Sequence, residues 1–291
     1  MSQLEPPYRL IREMLQQGRV IPFLGAGASL SGRDQSTKWE KNVTPYLPNS
    51  DELASHLAQM IEFPSDEPRD LAKVAQYFQL VAGREALYRE LHSIFNCNYP
   101  LTSLHTFLAN ISVPLLVVTT NYDNLIERAF DEKHLNYDKV IYAADSSLGE
   151  RLWWTHDKSE PTLDNPNKLN IDLKMTTVIF KMHGSVDDQK PERDQYVITE
   201  DDYVEFLTRM TKNKAIPTIF AEPFKTKHFL FMGYGLRDWN LRVVLNRIGK
   251  GLPSWAIQDK PSLLEKHIWK GRGVEVYDMT IDAFVKKLQQ Y

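Results

Sequence analysis

The stretch VIPFLGAGAS, Val20 to Ser29, decides how the rest of the chain is read. Its first five residues are uncharged and apolar, as in a strand buried on both faces of a sheet. Gly25 and Gly27 follow where that strand would end. Glycine has no Cβ, so the backbone there can turn sharply or lie against a ligand. N–H groups of such a loop, opening a helix, attract phosphate. Leu30 stands where the dinucleotide fingerprint G-x-G-x-x-G would have its third glycine. Taken alone, the stretch reads equally well as a tight turn or a phosphate cradle.

Outward from it the same pattern recurs. Apolar runs begin at Pro114 (PLLVVTT), Thr176 (TTVIFKM) and His228 (HFLFMGY), with a fifth candidate, VEVYDM, at Val274. Helical spacing of apolar residues marks YRLIREMLQQG near the amino end, then DELASHLAQMI, DNLIERAF and, at the carboxyl end, IDAFVKKLQQY. Strands separated by helices predict a mainly parallel sheet covered on both faces. Two stretches read as irregular. Residues 31–50 carry turn formers and charges, as a loop over a site or an ordinary surface loop would. Residues 145–175 read as too polar and proline-rich for a core element, with Trp153 and Trp154 as a loop anchor.

The totals narrow the function classes. A chain of 291 residues can bury one large core, with 42% hydrophobic and 25% charged residues and no low-complexity tract. A net charge of −3 supplies no global field for nucleic acid, so direct nucleic-acid binding is not expected. Cys97 is the single cysteine, which excludes an intrachain disulfide framework and a cysteine-rich zinc site. No run reaches roughly 18 uncharged apolar residues and no signal-peptide core is visible. The expectation is a cytoplasmic protein without membrane contact.

Chemistry-bearing residues gather where strands end. VVTTNYDNLIERAF leaves its strand at Asn121, Tyr122 and Asp123, and Asn124 with Glu127 can cap the next helix. VIFKMHGSVDD ends in His183, the natural proton acceptor if it faces a ligand and a structural histidine otherwise. FLFMGYGLRDWNLRVVL turns at Gly233 and Gly235, and Asp238 can cap the helix after it. Each feature taken singly is also explained by a turn or cap. Together they stand at the carboxyl ends of parallel strands, where open α/β sheets bind ligands.

Read in order, GAGAS (25–29), TTNYD (119–123), HG (183–184) and GYGLRD (233–238) resemble the sirtuin superfamily, and within it a bacterial branch of anti-phage defence proteins. The acidic-aromatic stretch after His183 is similar to that branch as well. The resemblance implies a Rossmann-like NAD-binding domain over residues 1–291, with a small, zinc-free, largely helical inserted lobe at about 31–110 and 145–175. It implies that Gly25, Ala26, Gly27 and Ser29 line the pyrophosphate of NAD+. Asn121 and Asp123 would sit by nicotinamide and its ribose, His183 would be the catalytic base, and Gly233 and Tyr234 would lie near the adenosine.

Two departures shape the functional expectation. The four zinc-binding cysteines of sirtuin deacylases are absent, so no metal is expected, and LSGRDQSTKWEKNVTP replaces their G-I-P-D-F-R stretch. Arg33 lies in that replacement without an assigned role. An NAD site without an acyl-lysine groove suggests water as acceptor, giving an NAD+ hydrolase that depletes NAD in abortive defence. The alternatives are a zinc-free NAD-dependent protein deacylase or ADP-ribosyl transferase, and a non-catalytic NAD or ADP-ribose sensor. Similar compact members are encoded beside a HerA-type DNA-translocating ATPase, which implies that partner and a homo-oligomer.

Overall fold

In the computed structural model, residues 5–34, 36–212, 214–234 and 252–291 are described. Gly235, Asp238 and the helix expected after them lie outside the described residues. In chain order the elements begin with α1 (Tyr8–Gln16), β1 (Val20–Leu24) and α2 (Ala26–Ser29). The helices α3 (Ser50–Met60), α4 (Leu71–Ala82), α5 (Arg84–Phe95) and α6 (Ser103–Ala109) follow, then β2 (Leu116–Thr119), α7 (Leu125–Asp131) and β3 (Tyr137–Tyr142). Next come β4 (Leu152–Thr155), β5 (Thr162–Asp164), β6 (Thr177–Lys181), β7 (Gly184–Ser185) and β8 (Gln195–Tyr196). The chain continues with α8 (Glu200–Thr211), α9 (Ala221–Thr226), β9 (His228–Met232), β10 (Ser254–Gln258), α10 (Leu263–Lys270), β11 (Val274–Asp278) and α11 (Ile281–Leu288).

Among the described residues nine strands form one sheet in the order β11-β10-β9-β1-β2-β6-β3-β4-β5, parallel from β11 to β3 and antiparallel at β4 and β5. Strand alternation divides the core into two layers. Ile21 and Phe23 point into one with Phe206 of α8, Phe224 of α9 and Trp269 of α10. Val20 and Leu24 point into the other with Ile11 of α1, Leu108 of α6, Ile126 of α7 and Phe284 of α11. This is the doubly wound, Rossmann-like arrangement expected of buried parallel strands. The switch point lies at β1, whose neighbours β2 and β9 are reached by crossovers running in opposite directions along the sheet.

A third apolar cluster belongs to α3, α4 and α5 and is joined by Tyr122, Leu125, Val186, Tyr196 and Ile198. These helices therefore pack over the loops that leave β2 and β6. Local signals start them: Asn49 and Glu52 make a capping box on α3, and the Asp70 side chain accepts from two N–H groups at the start of α4. At the chain's ends the rings of Tyr8 and Tyr291 stack with centroids 5.8 Å apart, and Lys287 Nζ lies 3.0 Å from Glu5 Oε1.

The segment 145–175 differs from the sequence expectation. Leu152–Thr155 and Thr162–Asp164 form β4 and β5 at the antiparallel edge of the sheet, and Leu152, Leu169 and Ile171 enter the main core. Trp153 and Trp154 lie on β4, where Trp154 Nε1 donates to the buried Asp138 carboxylate at 3.1 Å. An edge strand needs only one apolar face, so its composition resembles that of a loop.

Candidate functional site

Two loops meet at the switch point. Gly25 N–H donates to the Met232 carbonyl at 2.9 Å, and Gly27 N–H to the Gly233 carbonyl at 3.0 Å. A Cβ on Gly25 would stand 2.6 Å from the Gly233 oxygen, and one on Gly27 would stand 2.8 Å from the Gly233 Cα. The glycines of GAGAS are thus required first by the approach of one loop to the other. Their N–H groups, expected to face a pyrophosphate, are already donated across that contact. Ala26, which opens the short α2, is exposed. Tyr234 latches the junction: its hydroxyl donates to the Leu24 carbonyl at 2.8 Å and lies 2.9 Å from Thr120 Oγ1.

Beside this junction the loop after β2 makes a polar chain whose direction is fixed. Ser29 Oγ lies 2.8 Å from Asp123 Oδ2, and Asn121 Nδ2 lies 3.0 Å from both Ser29 Oγ and the Gly25 carbonyl. A carboxylate only accepts, so Ser29 donates its single hydrogen to Asp123 and accepts from Asn121. The second amide hydrogen goes to Gly25. The amide's donor end is thereby committed inside the protein, and Oδ1 is the end left for a ligand. The expected helix cap is made differently: Asp123 Oδ1, not Asn124, accepts the Leu125 N–H at 3.1 Å, and no Asn124 side-chain cap forms. Glu127 turns inward to Lys181 at 3.3 Å.

His183 lies just past the end of β6, after Met182, whose N–H donates to the Thr119 carbonyl at 2.8 Å. Its imidazole is 4% exposed and held edge-on by Phe206 and Tyr203 of α8, with centroids 5.0 and 5.7 Å away. Gly184 takes φ +92°, and a Cβ there would fall 2.0 Å from the Gln195 oxygen. The loops carrying Asn121 and His183 are tied by the Val186 N–H, which donates to the Tyr122 carbonyl at 2.9 Å.

A cleft of about 700 Å³ opens on the other side of the glycine junction. Gly27, Gly233, Tyr234, Gln258, Asp259 and Asp282 help line it, whereas Asn121, Asp123 and His183 do not. Arg33 also faces this cleft, but its guanidinium is a clamp for the segment 31–50. It grips Glu52 with both ends at 2.5 and 2.7 Å, donates to the Thr37 carbonyl, and stacks over Tyr46. Burial alone would raise the Glu52 carboxyl; Arg33 and the N–H groups of Asn49 and Trp39 bring it down to about 2.

Three further residues join this region, and the sequence marks them weakly or not at all. Lys181 sits within an apolar run, which was a signal for it; Thr102 and His105 gave none. Thr102 Oγ1 stands 3.3 Å from the Ala28 carbonyl and 2.9 Å from His105 Nδ1. Burial holds His105 down to about 4, with the nearby Asp123 carboxylate opposing that shift. A histidine lowered on folding adds stability that is full above the ordinary imidazole range and lost as pH falls from about 6.5 toward 4. Urea unfolding followed from pH 7 to 4 should show about 3 kcal/mol of loss from this group. His105→Gln should remove that part of the slope, and an unchanged slope would contradict the assignment.

Among the described residues no group of three or more His, Cys, Asp or Glu side chains could hold a metal ion. Nor is any helix among them long and apolar enough to cross a membrane.

The chain is similar to the NAD(+) hydrolase ThsA of Enterococcus faecium, 28% identical over 81% of this chain and 41% of that protein. It is also similar to the Defense-associated sirtuin 2 of Bacillus subtilis, 29% identical over 82% of this chain and 20% of that one. It thus spans about two fifths of the length of the first of these relatives and one fifth of the second. A solved SIR2 homolog–NAD complex aligns with a TM-score of 0.42 at 13% identity, covering 100% of this chain and 97% of that one. The family model described as the SIR2-like domain matches residues 115–277, more than half of the chain and including the loops of Asn121, His183 and Gly233. The chain belongs to the SIR2-like domain family.

Proposed function

We propose that this protein is an NAD+ hydrolase that cleaves the nicotinamide–ribose bond, releasing nicotinamide and ADP-ribose, and that it depletes NAD in anti-phage defence. The observation that carries this reading is that four relatives named as NAD(+) hydrolases align with 77–82% of this chain. The directed amide of Asn121 at the switch point supports it. In this reading the adenosine half occupies the cleft by Gly233 and Tyr234, and the pyrophosphate crosses Gly25, Ala26, Gly27 and Ser29. The nicotinamide ribose then reaches the loops of Asn121, Asp123 and His183. From β10 to β6 the sheet measures about 19 Å, a span suited to an extended ligand of two nucleotides.

Bond cleavage passes through an oxocarbenium-like sugar. Cationic nicotinamide is a good leaving group, so placing the acceptor matters more than activating the departing base. Asn121 Oδ1 accepts from a water or ribose hydroxyl and orients it. His183 takes the proton released as water adds. The helices α3 to α5 with their loops are the inserted lobe of this reading and cover the reaction from solvent. Cytoplasmic residence, self-association and a HerA-type ATPase partner belong to the same proposal.

The test is release of nicotinamide from NAD+ by purified protein, alone and with such an ATPase, followed chromatographically. Wild type should release it without any acyl-lysine or protein acceptor, and His183→Ala should lose about 10²–10⁴-fold in rate. No release under either condition, or equal release by His183→Ala, refutes the reading. Calorimetric binding of NAD+ without turnover would instead favour a sensor, and dependence on an acyl-lysine peptide a deacylase.

A further inference from the structure

Lys181 is the unexplained charge of this fold. It closes β6, pairs in register with Thr119 of β2, and is 0% exposed inside an otherwise apolar strand. Two groups receive its ammonium: the Asp123 carbonyl, through a hydrogen bond, and the Glu127 carboxylate at 3.3 Å. Glu127 is itself buried, and among the described residues neither of its oxygens accepts a hydrogen bond. The ion pair is its compensation. Such a buried pair commonly returns less than its desolvation costs, and apolar side chains of the same volume would stabilise the strand as well or better. Its value must therefore lie in what it holds.

What it holds is the turn 121–123. The Asp123 carbonyl is pinned by Lys181 from one side, and the Asp123 carboxylate grips Ser29 on the other. Ser29 in turn receives Asn121 Nδ2. Release of the carbonyl would let the turn rotate and would loosen both ends of the polar chain that aims Asn121 Oδ1. We propose that Lys181, with Glu127 as its counter-charge, is a positioning residue for Asn121 in NAD+ cleavage. The inference rests on the hydrolase reading above.

The experiment compares wild type, Lys181→Met, Glu127→Gln and the double variant Lys181→Met/Glu127→Gln, measuring kcat and KM for NAD+ together with urea unfolding. Lys181→Met should lower kcat about 30-fold with KM within about threefold, because misplacement of a positioned group acts on the reacting geometry more than on binding. The double variant separates positioning from stability. With no uncompensated charge left, its unfolding midpoint should return toward that of wild type while kcat stays low. If kcat in the folded double variant lies within about threefold of wild type, Lys181 is merely structural and the proposal is wrong. Should Lys181→Met alone fail to fold, the double variant carries the test. A wild type inactive both alone and with the ATPase would refute the hydrolase reading itself, and this inference with it.

Discussion

Asn121→Asp should lower the rate of nicotinamide release by on the order of 10²–10³-fold while the protein stays folded. The exchange keeps the side chain's size and shape but removes both hydrogens that Nδ2 gives to Gly25 and Ser29. A carboxylate in that place faces a carbonyl oxygen at one contact. At the other it meets a hydroxyl whose hydrogen is already directed at Asp123. It must turn away, and the acceptor that orients the water or ribose turns with it. The assay is initial-rate kinetics with circular dichroism as a control on folding. A kcat within threefold of wild type would show that the amide's direction does not matter to the reaction.

The second large effect concerns the junction of the two loops. Gly233 takes φ +82°, and a Cβ there would fall 2.2 Å from the Ala28 nitrogen and 2.8 Å from the Gly25 oxygen. Gly233→Ala therefore adds a left-handed alanine and a clash with backbone that cannot be relieved by a side-chain rotation. The expected cost is about 3–5 kcal/mol of folding stability, near the upper end for a single substitution. Urea denaturation measures it. Gly83 makes a suitable control, because its φ of +88° is also positive but no atom lies within 4 Å of a Cβ built there. Equal losses at the two positions would mean that strain alone, not loop contact, is responsible.

The fold was legible wherever a strand coincided with a run of apolar residues. Val20–Leu24, Leu116–Thr119, Thr177–Lys181, His228–Met232 and Val274–Asp278 all lie within runs whose apolar character marks them as strands. β3 escaped because Asp138 and Lys139 interrupt YDKVIY. The structure accommodates that buried aspartate with donors from Trp154, His156 and the Asp157 backbone, which arrive from β4 and the residues after it. β10, SWAIQ, is short and bounded by polar residues, and Ser254 spends its hydroxyl on the backbone beside it.

For the candidate site, the positions were legible and the connections were not. Strand ends named Asn121, Asp123, His183 and the glycines, but Ser29 meets Asp123 across 94 residues of chain. No local pattern reports such a contact. The misread cap has the same origin: Asn124 and Glu127 have the spacing of a capping box, yet a lysine from the neighbouring strand claims Glu127.

The stacking of Tyr8 on Tyr291 bears on how the protein can be rebuilt. Because both described ends share one corner, a few flexible residues could join Tyr291 to Glu5, and new ends could be opened in the exposed β4–β5 turn around Ser159. Such a circular permutant would keep every strand pairing of the parallel sheet. It would also move any fused reporter or partner domain from the corner of α1 and α11 to the opposite, antiparallel edge.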